Sequence, residues 1–415
     1  MAICGKLVFV FGMIKNIFYR SFSTVKYATI MYPKTKAMTR ILKMLKKFTV
    51  RNYRQFNEPL EFDLTAGNYA FNPECTHNGL VKLALIYGEN GTGKSSLGWA
   101  LFDLVSHLTD NNFNHYSKYC LNANSIDSFS TFQFDFLFDE TSVSYEYQKD
   151  EERNLVYEKL TIDKKVCIEY KLNQPFISKL KGSENLNKNI NQNQNLSALK
   201  YVYNNTNLDK RNKNNKVFVC FMNFINHILW FRSVLDDRSF IGYKKGSENI
   251  SEQIIKNNQL DDFERFLSDC GLDFKLVKYN DINGSNIGIK FPNKKKPLPF
   301  FEIASTGTRN LTLFYYWWKI IQENQVPLLF IDEFDCSYHF ALSEKIIEKL
   351  KDLPNTQVIL TTHNTNLLSN DLIRPDCGFI INGKKIKSLN NLTEKELREV
   401  HNLERLYQAG HFNNE

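Results

Sequence analysis

A glycine-rich stretch in the N-terminal third of the chain has the residues and spacing to bind phosphate. Gly88 and Gly93 bracket four residues and are followed by Lys94 and Ser95, in the pattern G-x-x-x-x-G-K-S. Glycines let the backbone curl until consecutive N–H groups face one anion, while the lysine reaches the outer phosphates and the hydroxyl binds Mg²⁺. We therefore expect ATP and Mg²⁺ here, although the pattern also fits GTP. The residues predicted to contact the nucleotide are Gly88, Glu89, Asn90, Gly91, Thr92, Gly93, Lys94, Ser95 and Ser96.

Two adjacent carboxylates far along the chain match the second half of such a site. Residues 327–331 form an apolar run that ends in Asp332 and Glu333. A short apolar run of this kind is typical of a buried strand, which places both carboxylates at its carboxyl end. Asp332 is expected to bind Mg²⁺ together with Ser95, and Glu333 to polarise the attacking water. The pair therefore predicts hydrolysis, with Lys94 and Glu333 as catalytic residues.

A histidine follows the next apolar run along the chain. Residues 358–362 predict another buried strand, and His363 stands at its end. The intervening segment has the apolar spacing of a helix from Leu342 to Leu353, closed by Pro354. Strand, helix and strand in this order place Glu333 and His363 at the same edge of a parallel sheet, where such sheets bind ligands. We expect His363 to act as a catalytic sensor of the γ-phosphate.

A short polar turn begins at Ser305, 27 residues before Asp332. Ser305, Thr306, Gly307 and Thr308 come immediately before an apolar helix, predicted over residues 311–321. A capped helix N-terminus offers backbone N–H groups to an anion. This turn cannot easily reach the phosphates bound by its own chain's glycine-rich loop. We therefore expect it to act in trans as a signature sequence, completing the site of a partner in a homodimer that closes on ATP.

The elements that must position these residues can be recognised along most of the chain. The pattern predicts a strand pair within residues 46–64 with a turn at 57–59, a buried strand at 83–87 and a helix at 95–108. Further strands are expected at 132–138, 143–147 and 167–170. An aromatic-rich helix is predicted over 217–234 and another around 260–267. Thr393–Glu396 resembles a capping box that opens a helix running toward Gly410.

These elements predict an α/β P-loop NTPase whose head is built from both ends of the chain. The head contains a mostly parallel sheet and an antiparallel β subdomain. We expect its N-terminal half at 44–150 and its C-terminal half at 291–415, with a helical middle insertion at 151–290. Residues 183–216 are dominated by asparagine and lack large apolar side chains. They are expected to be a mobile, solvated segment because they cannot offset the entropy of ordering, and helices are expected over 217–270.

The basic residues of the chain are concentrated at its N-terminus. The chain carries a formal net charge of +8, and residues 1–43 contain eight lysines and arginines and no acidic residue. Residues 44–415 are therefore neutral as a whole, which removes net charge as an argument for a nucleic-acid partner. The basic segment matches an organellar presequence, or an upstream start codon where Met38 or Met44 is the true start instead of Met1. Its longest apolar stretch, residues 7–14, is too short to span a membrane.

The cysteines point to the cytoplasm. The chain has 8 cysteines, dispersed and without a C-x-x-C pair. Neither a zinc ribbon nor a redox motif is indicated, and reduced thiols are the ordinary state in the cytosol.

The order of these motifs resembles the ABC-type heads of SMC and RecF proteins. More closely, residues 46–180 and 217–412 resemble prokaryotic AAA-type ATPases of the abortive-infection group (AbiLi-like and RloA-like), distant relatives of the OLD family. The most specific stretches are 101–103, 107–112, 229–233, 330–335, 361–365, 374–377 and 397–404. The resemblance implies that Asp335 is the D-loop aspartate. It also implies an ATP-driven sensor or regulator in phage defence that acts with a separate effector protein.

The chain departs from these relatives in three respects. The basic segment 1–43 and the asparagine-rich segment do not belong to the family pattern. No secure Q-loop glutamine is evident, because Gln133 lies 39 residues after Lys94 but inside a predicted strand. A toprim-like set of acidic residues is not visible, so the chain is not expected to be a nuclease by itself.

Two other functions remain open at this stage. An ATP-dependent clamp of the DNA-repair or recombination type would use the same residues and would bind DNA in a salt-sensitive manner. A transporter-energising ATPase would also share the motifs. The middle region disfavours the transporter, because it replaces the compact helical subdomain usual there.

Overall fold

The computed structural model describes residues 43–113, 120–189, 196–233, 240–242, 250–281, 284–324 and 326–412. All of them fall within one compact unit, Leu42–Glu415. The predicted N-terminal extension lies outside the described residues except for Lys43, the first residue of β1. No helix within the described ranges combines the length and the apolar character needed to cross a membrane.

Twenty strands and ten helices are described. The strands are β1 Lys43–Arg51, β2 Leu60–Asp63, β3 Thr76–His77, β4 Leu80–Val81, β5 Leu83–Tyr87, β6 Asn112–Phe113, β7 Ser130–Phe138, β8 Thr141–Lys149, β9 Leu155–Ile162, β10 Lys165–Lys171, β11 Ile177–Ser178, β12 Leu229–Arg232, β13 Phe240–Gly242, β14 Leu276–Asp281, β15 Gly284–Ile289, β16 Leu298–Pro299, β17 Leu328–Asp332, β18 Gln357–Thr362, β19 Gly378–Ile381 and β20 Ile386–Ser388. The helices are α1 Lys94–Phe102, α2 Val105–Leu108, α3 Ala198–Asn205, α4 Lys213–Asn226, α5 Ile250–Lys256, α6 Leu260–Asp269, α7 Phe300–Ile303, α8 Thr306–Asn324, α9 Phe340–Lys351 and α10 Leu403–Gln408.

The central sheet positions the predicted site. Its order is β20-β19-β5-β18-β17-β12-β13-β6, and the five strands from β19 to β12 run parallel. The strands β5, β17 and β18 are buried along their whole length, which explains their continuous apolar sequences. Both ends of the chain contribute to this sheet, so the predicted mixed α/β class with a mostly parallel sheet is confirmed.

The helix between the two strands of the C-terminal half also agrees with its sequence pattern. Helix α9 connects β17 to β18 and buries Leu342, Ile346, Ile347 and Leu350. Because β17 and β18 pair in parallel, their carboxyl ends meet at one edge of the sheet. The edge that carries Asp332 is therefore the edge reached by residue 363.

A second sheet of seven strands forms the antiparallel subdomain. Its order is β11-β10-β9-β8-β7-β1-β2, and every neighbouring pair is antiparallel. The phenylalanines at alternate positions of β7 are all buried, as period-two spacing requires. Phe136 packs against Phe221 and Phe224 of α4, with ring centroids 5.7 and 5.4 Å apart. The predicted boundary at residue 150 stays a prediction and falls in the turn between β8 and β9.

The middle region differs from its prediction in one consequential way. The helix expected over residues 217–234 ends at Asn226, and Leu229–Arg232 forms β12, which pairs in parallel with β17. Leu229, Trp230 and Phe231 are fully buried. A run buried on all sides shows no period, so the sequence pattern could not distinguish a helix from a central strand. The middle region therefore contributes directly to the nucleotide-site sheet.

The asparagine-rich segment is also more ordered than predicted. Residues 190–195 lie outside the described residues, but α3 follows them and buries Ala198, Leu199 and Val202. The N-terminus of α3 is held by Glu158, which is 0% exposed and accepts hydrogen bonds from the Ser197 hydroxyl and from the Ala198 N–H. A few apolar side chains and one buried carboxylate order this helix, an effect that average composition does not capture.

The C-terminal helix starts later than predicted. Thr393 forms a local turn, accepting a hydrogen bond from the Lys395 N–H, and the helix begins only at Leu403. Asn402 caps it by accepting from the Arg405 N–H, and Gly410 follows with a positive φ of 79°. Several residues thus share the local features of a helix start, and packing selects among them.

Candidate functional site

The glycine-rich loop connects the end of β5 to the start of α1, as the sequence predicts. Gly93, just before Lys94, has φ +104°, which side-chain-bearing residues rarely adopt, and a Cβ there would also collide with the Gln55 side chain. A Cβ on Gly88 would lie 2.7 Å from Ile381 Cγ2 and 2.8 Å from its carbonyl oxygen. Turn geometry and close packing therefore both require glycine in this loop.

Lys94 is directed back into the loop that precedes it. Its Nζ donates to the carbonyl oxygens of Gly88 at 2.7 Å and Glu89 at 2.9 Å, and lies 3.3 Å from His363 Nδ1. The lysine is only 5% exposed. Burial lowers the pKa of Lys94, while the carboxylates of Asp332 and Glu333 oppose that shift. The loop thus holds a desolvated ammonium group at the site.

The two carboxylates are fixed by a residue of the neighbouring strand. Thr361 of β18 donates its hydroxyl proton to Asp332 Oδ1 at 2.7 Å, and the Thr361 hydroxyl oxygen accepts a hydrogen bond from the Glu333 N–H at 2.8 Å. Asp332 is 0% exposed. Burial raises its pKa, and hydrogen bonds from Ser95 and Thr361 only partly offset this effect. One hydroxyl therefore positions the Asp332 side chain and the Glu333 backbone together.

Glu333 has an unusual backbone and a cationic neighbour. Its φ is +51°, in the left-handed region that glutamate seldom occupies. Arg232, at the carboxyl end of β12, donates from Nη2 to Glu333 Oε1 at 2.9 Å. Its Nε lies 3.6 Å from Asp332 Oδ2. Thr361 and Arg232 together hold Glu333 in this uncommon conformation at the end of β17.

His363 and Asp335 lie at the same edge of the sheet. Burial and the Lys94 ammonium group lower the pKa of His363, against the attraction of Glu333 and Asp335. Thr362 donates its hydroxyl proton to Asp335 Oδ2 at 2.8 Å. Burial raises the pKa of Asp335, and the Thr362 hydrogen bond opposes that rise. Asp335, the expected D-loop residue, is thus held by Thr362, which directly precedes His363, the expected phosphate sensor.

The polar turn at Ser305 packs against the segment that follows Glu333. Ser305 Oγ accepts from the Thr308 N–H at 3.2 Å and caps α8, a helix of 19 residues. A Cβ on Gly307 would lie 2.9 Å from the carbonyl oxygen of Ser337. Ser305 and Thr306 are exposed. Ser305 forms its side-chain hydrogen bonds with Thr308 inside the turn, so the helix N-terminus is presented at the surface.

The donor set fits a nucleotide with a divalent cation. The strictly required glycines form a concave loop next to Lys94, and Ser95 is half-buried beside Asp332. Asp332 Oδ2 is buried, and no hydrogen-bond donor among the described residues reaches it. Hard divalent cations prefer carboxylate and hydroxyl oxygens of this kind. Ser95 and Asp332 would hold Mg²⁺, and the loop would hold the phosphates.

Three residues of the site were not recognised in the sequence. Arg232 lies in a stretch that its sequence pattern assigns to a helix, so its approach to Glu333 was not predictable. Thr361 is one of two threonines in an apolar run, and only the strand register shows which one faces Asp332. Gln55 stands beside Gly93, whereas Gln133 lies in the middle of β7 and is exposed. The Q-loop glutamine remains unassigned.

A phosphate loop on a parallel sheet, with Asp332 and Glu333 at the end of a strand near it, defines a P-loop ATPase. The chain belongs to the family described as "AAA domain, putative AbiEii toxin, Type IV TA system", which matches residues 83–369. This family implies ATPase activity in general. No match is found among curated proteins.

Several solved structures of SMC heads are similar to the chain. One is an Smc head bound to the C-winged helix domain of ScpA, at 16% identity and a TM-score of 0.42, with 84% of this chain and 98% of that chain covered. The SMC head of Thermotoga maritima gives 13% identity and a TM-score of 0.40 over 83% of this chain and 98% of that one. A third structure is an Smc head domain with an extended coiled coil, bound to the C-terminal domain of ScpA derived from Pyrococcus furiosus. It has 12% identity and a TM-score of 0.43, with 84% of this chain and 96% of that chain covered.

Proposed function

We propose that this protein hydrolyses ATP with Mg²⁺ at the edge where β5, β18 and β17 end. One observation carries the proposal: Lys94 Nζ lies 3.3 Å from His363 Nδ1, while Thr361, two residues before that histidine, holds Asp332 and Glu333. Residues from distant parts of the chain, each suited to one step of phosphoryl transfer, meet at this edge. A structural role alone would not require this combination.

Each side chain has a distinct role in this proposal. Lys94 neutralises the outer phosphates, and Glu333 orients the attacking water and accepts its proton. Neutral His363, whose pKa is lowered by its surroundings, donates a hydrogen bond to the γ-phosphate or accepts one from the water. Mg²⁺, held by Ser95 and Asp332, would draw charge from the transferred phosphoryl group.

We further propose that the site is completed by a second copy of the chain. The N-terminus of α8, with the exposed Ser305 and Thr306 followed by Gly307 and the buried Thr308, would bind the γ-phosphate held by the partner's glycine-rich loop. The contact between Gly307 and Ser337 joins this turn to the segment of Asp335. A dimer that closes on ATP would therefore present the signature and the D-loop to the partner together.

The experiment compares two substitutions in the same chain. We expect Lys94→Ala to lose ATP binding, measured with a fluorescent ATP analogue. Glu333→Gln should keep binding but lower kcat by about 100-fold or more, because the general base is removed while the binding groups stay. Glu333→Gln should also accumulate as a dimer with ATP in sedimentation velocity.

Two matched variants complete this experiment. Glu344→Gln, at a partly exposed glutamate on α9, serves as the control for handling and folding. Turnover at the wild-type rate in Glu333→Gln would overturn the catalytic assignment. Ser305→Arg should prevent the ATP-dependent dimer without weakening ATP binding to the monomer. Loss of ATP binding by the monomer would contradict the proposal that Ser305 acts on the partner's site.

For the biological role, we propose a sensor or regulator in prokaryotic defence against phage. The description of the family, with its reference to a type IV toxin–antitoxin system, supports this proposal. We expect a separate effector protein, and a cytoplasmic location, which agrees with the free thiols of the described cysteines. The test is phage challenge of cells that carry the complete locus with wild-type or Lys94→Ala protein. Equal protection by both would remove the ATP-dependent defence role.

An ATP-dependent nucleic-acid clamp is the second candidate, and one observation favours it. The loop between β15 and β16 carries Lys290, Lys294, Lys295 and Lys296, all exposed, beside the partly exposed Phe291. Basic groups with an adjacent aromatic ring suit a phosphate backbone. Replacing Lys294, Lys295 and Lys296 with glutamate should abolish salt-sensitive DNA binding. Absence of DNA binding by the unaltered chain at low salt would eliminate this candidate.

A further inference from the structure

The Arg232 guanidinium lies against both carboxylates of the proposed catalytic pair. In the register of the parallel strands, Arg232 of β12 is opposite Asp332 of β17. Its Nη2 lies 2.9 Å from Glu333 Oε1, and its Nε lies 3.6 Å from Asp332 Oδ2. The guanidinium therefore bridges the residue proposed to bind Mg²⁺ and the residue proposed to activate water.

The charges at this point require a cation. The Asp332 side chain is 0% exposed, and an unpaired carboxylate at that depth would be costly to keep ionised. Its Oδ1 is satisfied by Thr361, so the remaining negative charge faces Arg232. Glu333 adds a second carboxylate beside it. Arg232 supplies a positive charge that contacts both carboxylates directly.

The same contact is incompatible with the proposed chemistry. Glu333 Oε1, which accepts a hydrogen bond from the guanidinium, is not free to accept one from an attacking water molecule. A divalent cation on Asp332 Oδ2 would lie within a few ångströms of the guanidinium, and the two positive charges would repel each other. Arg232 in this position therefore competes with Mg²⁺ for Asp332 and engages Glu333, the proposed general base, in a hydrogen bond.

The geometry indicates which part of the site can move. Thr361 holds Asp332 Oδ1 and the Glu333 N–H, so the backbone of the pair is fixed. By contrast, the side chains of Arg232 and Glu333 are 26% and 25% exposed, and solvent can receive them. A rotation of these two side chains would open the acidic pair without moving the sheet.

We propose that Arg232 is an intramolecular counter-ion that holds the Asp332–Glu333 pair in a resting state and gives way to Mg²⁺ when nucleotide binds. Arg232 is a positioning residue in this scheme, since it acts through Glu333 and Asp332. The inference rests on the proposed ATPase function and adds how that function is regulated. Hydrolysis begins only when Mg²⁺ has replaced Arg232 as the cation that neutralises the two carboxylates.

The test measures Mg²⁺ dependence of nucleotide binding, which is separate from turnover. Purified full-length wild type, Arg232→Gln and Arg232→Lys are titrated with Mg²⁺ in the presence of a fluorescent, non-hydrolysable ATP analogue. We expect the half-saturating Mg²⁺ concentration to fall by about tenfold in Arg232→Gln, because the competing charge is gone. Arg232→Lys, which keeps the charge, should stay near the wild type.

Thermal unfolding without nucleotide gives an independent measurement. Removing the guanidinium takes away the cation that contacts both carboxylates, so Arg232→Gln should have a lower Tm than the wild type. Mg²⁺ alone should recover more of that loss in Arg232→Gln than it adds to the wild type. Arg153→Gln is the matched control: it breaks another buried arginine–aspartate pair, 2.8 Å long, and its loss of Tm should not respond to Mg²⁺.

The outcomes separate this inference from the proposed function. Equal Mg²⁺ dependence in Arg232→Gln and wild type overturns the resting-state role. A drop in kcat of more than about tenfold in Arg232→Gln, without a change in Mg²⁺ dependence, would mean that Arg232 acts on the phosphates instead. Lys94→Ala tests the ATPase function itself: if it still binds the analogue as the wild type does, the proposed site is wrong whatever Arg232 does.

Discussion

Two buried carboxylates, Asp103 and Asp332, lie in the same molecule in opposite electrostatic situations. Asp103, just after α1, is 1% exposed and contacts Lys149 Nζ at 2.6 Å and Arg153 Nη2 at 2.8 Å. It also accepts from the Tyr147 hydroxyl at 3.0 Å. Two cations thus form ion pairs with one carboxylate. At the sheet edge the ratio of cations to carboxylates in ion-pair contact is reversed, because the single guanidinium of Arg232 pairs with both Asp332 and Glu333.

The pKa shifts follow this difference. Burial by itself raises the pKa of Asp103, but the charges of Lys149 and Arg153 bring it below the usual value. Burial also raises the pKa of Asp332, and there the opposing hydrogen bonds and Arg232 are too weak to reverse the shift. A buried carboxylate whose charge is fully neutralised (saturated) by neighbouring cations stabilises the fold. One whose charge is only partly neutralised favours the binding of a further cation. The first is a structural anchor and the second fits a metal-dependent site.

Breaking the saturated cluster should have the largest effect on stability. Asp103→Asn would leave Lys149, whose side chain is 4% exposed, buried without its carboxylate. We expect the free energy of unfolding in urea to fall by about 3–5 kcal/mol, the range for breaking a buried pair from one side. A loss below about 1 kcal/mol would show that the cluster is not an anchor. Mg²⁺ should not restore the loss.

Removing the hydroxyl that positions the acidic pair should affect function more than stability. Thr361→Val removes the donor to Asp332 Oδ1 and the acceptor of the Glu333 N–H. We expect about 1–3 kcal/mol lower stability from the two unsatisfied groups and up to about 100-fold lower kcat from misplacement of Glu333. Thr361→Ser is the control and should retain most activity. Wild-type kcat in Thr361→Val would contradict the positioning role.

The saturated cluster also predicts a pH dependence, through His107. His107 Nε2 lies 2.7 Å from the Tyr145 hydroxyl, and burial together with the Lys149 charge holds its pKa well below 6.5. Below about pH 6.5 the unfolded chain binds a proton that the folded chain does not, so stability must fall as pH decreases. The slope for this one group is about 1.4 kcal/mol per pH unit.

The measurement is the difference between the wild type and His107→Gln in urea unfolding from pH 7 to pH 5. Glutamine can keep a hydrogen bond to Tyr145 but does not titrate. We expect the wild type to lose stability more steeply than the variant below about pH 6.5. Parallel curves would show that His107 takes up its proton equally in the folded and unfolded protein, which would contradict the lowered pKa.

Breaking an exposed ion pair should change the free energy of unfolding least of all these substitutions. Arg51 Nη2 lies 2.5 Å from Asp127 Oδ2, yet the two side chains are 50% and 42% exposed. Solvent screens this pair, so Arg51→Ala should change the free energy of unfolding by less than about 1 kcal/mol. A change comparable to that of Asp103→Asn would mean that burial is not what separates the clusters.

Local sequence determined much of the fold because its patterns have distinct physical causes. The loop at Gly88–Ser95 requires glycines for its backbone and lies between an apolar strand and a helix, as predicted. The runs before Asp332 and His363 are buried on both faces, and the phenylalanines of β7 alternate because one face is buried. Boundaries were less accurate: residues 95–108 form two helices instead of one, and the C-terminal helix starts at Leu403.

The sequence by itself therefore determined the chemistry available to this protein: a phosphate loop, an acidic pair, a histidine and a capped helix N-terminus. Only the tertiary structure decided which residues meet. Arg232 reaches Glu333 because Leu229–Arg232 is a strand in register with β17, and Thr361 rather than Thr362 faces Asp332 because of strand alternation. These contacts join residues 101 and 29 positions apart, and no local pattern records a pairing of that length. Register and burial, which depend on the whole sheet, decide the charge balance of the site.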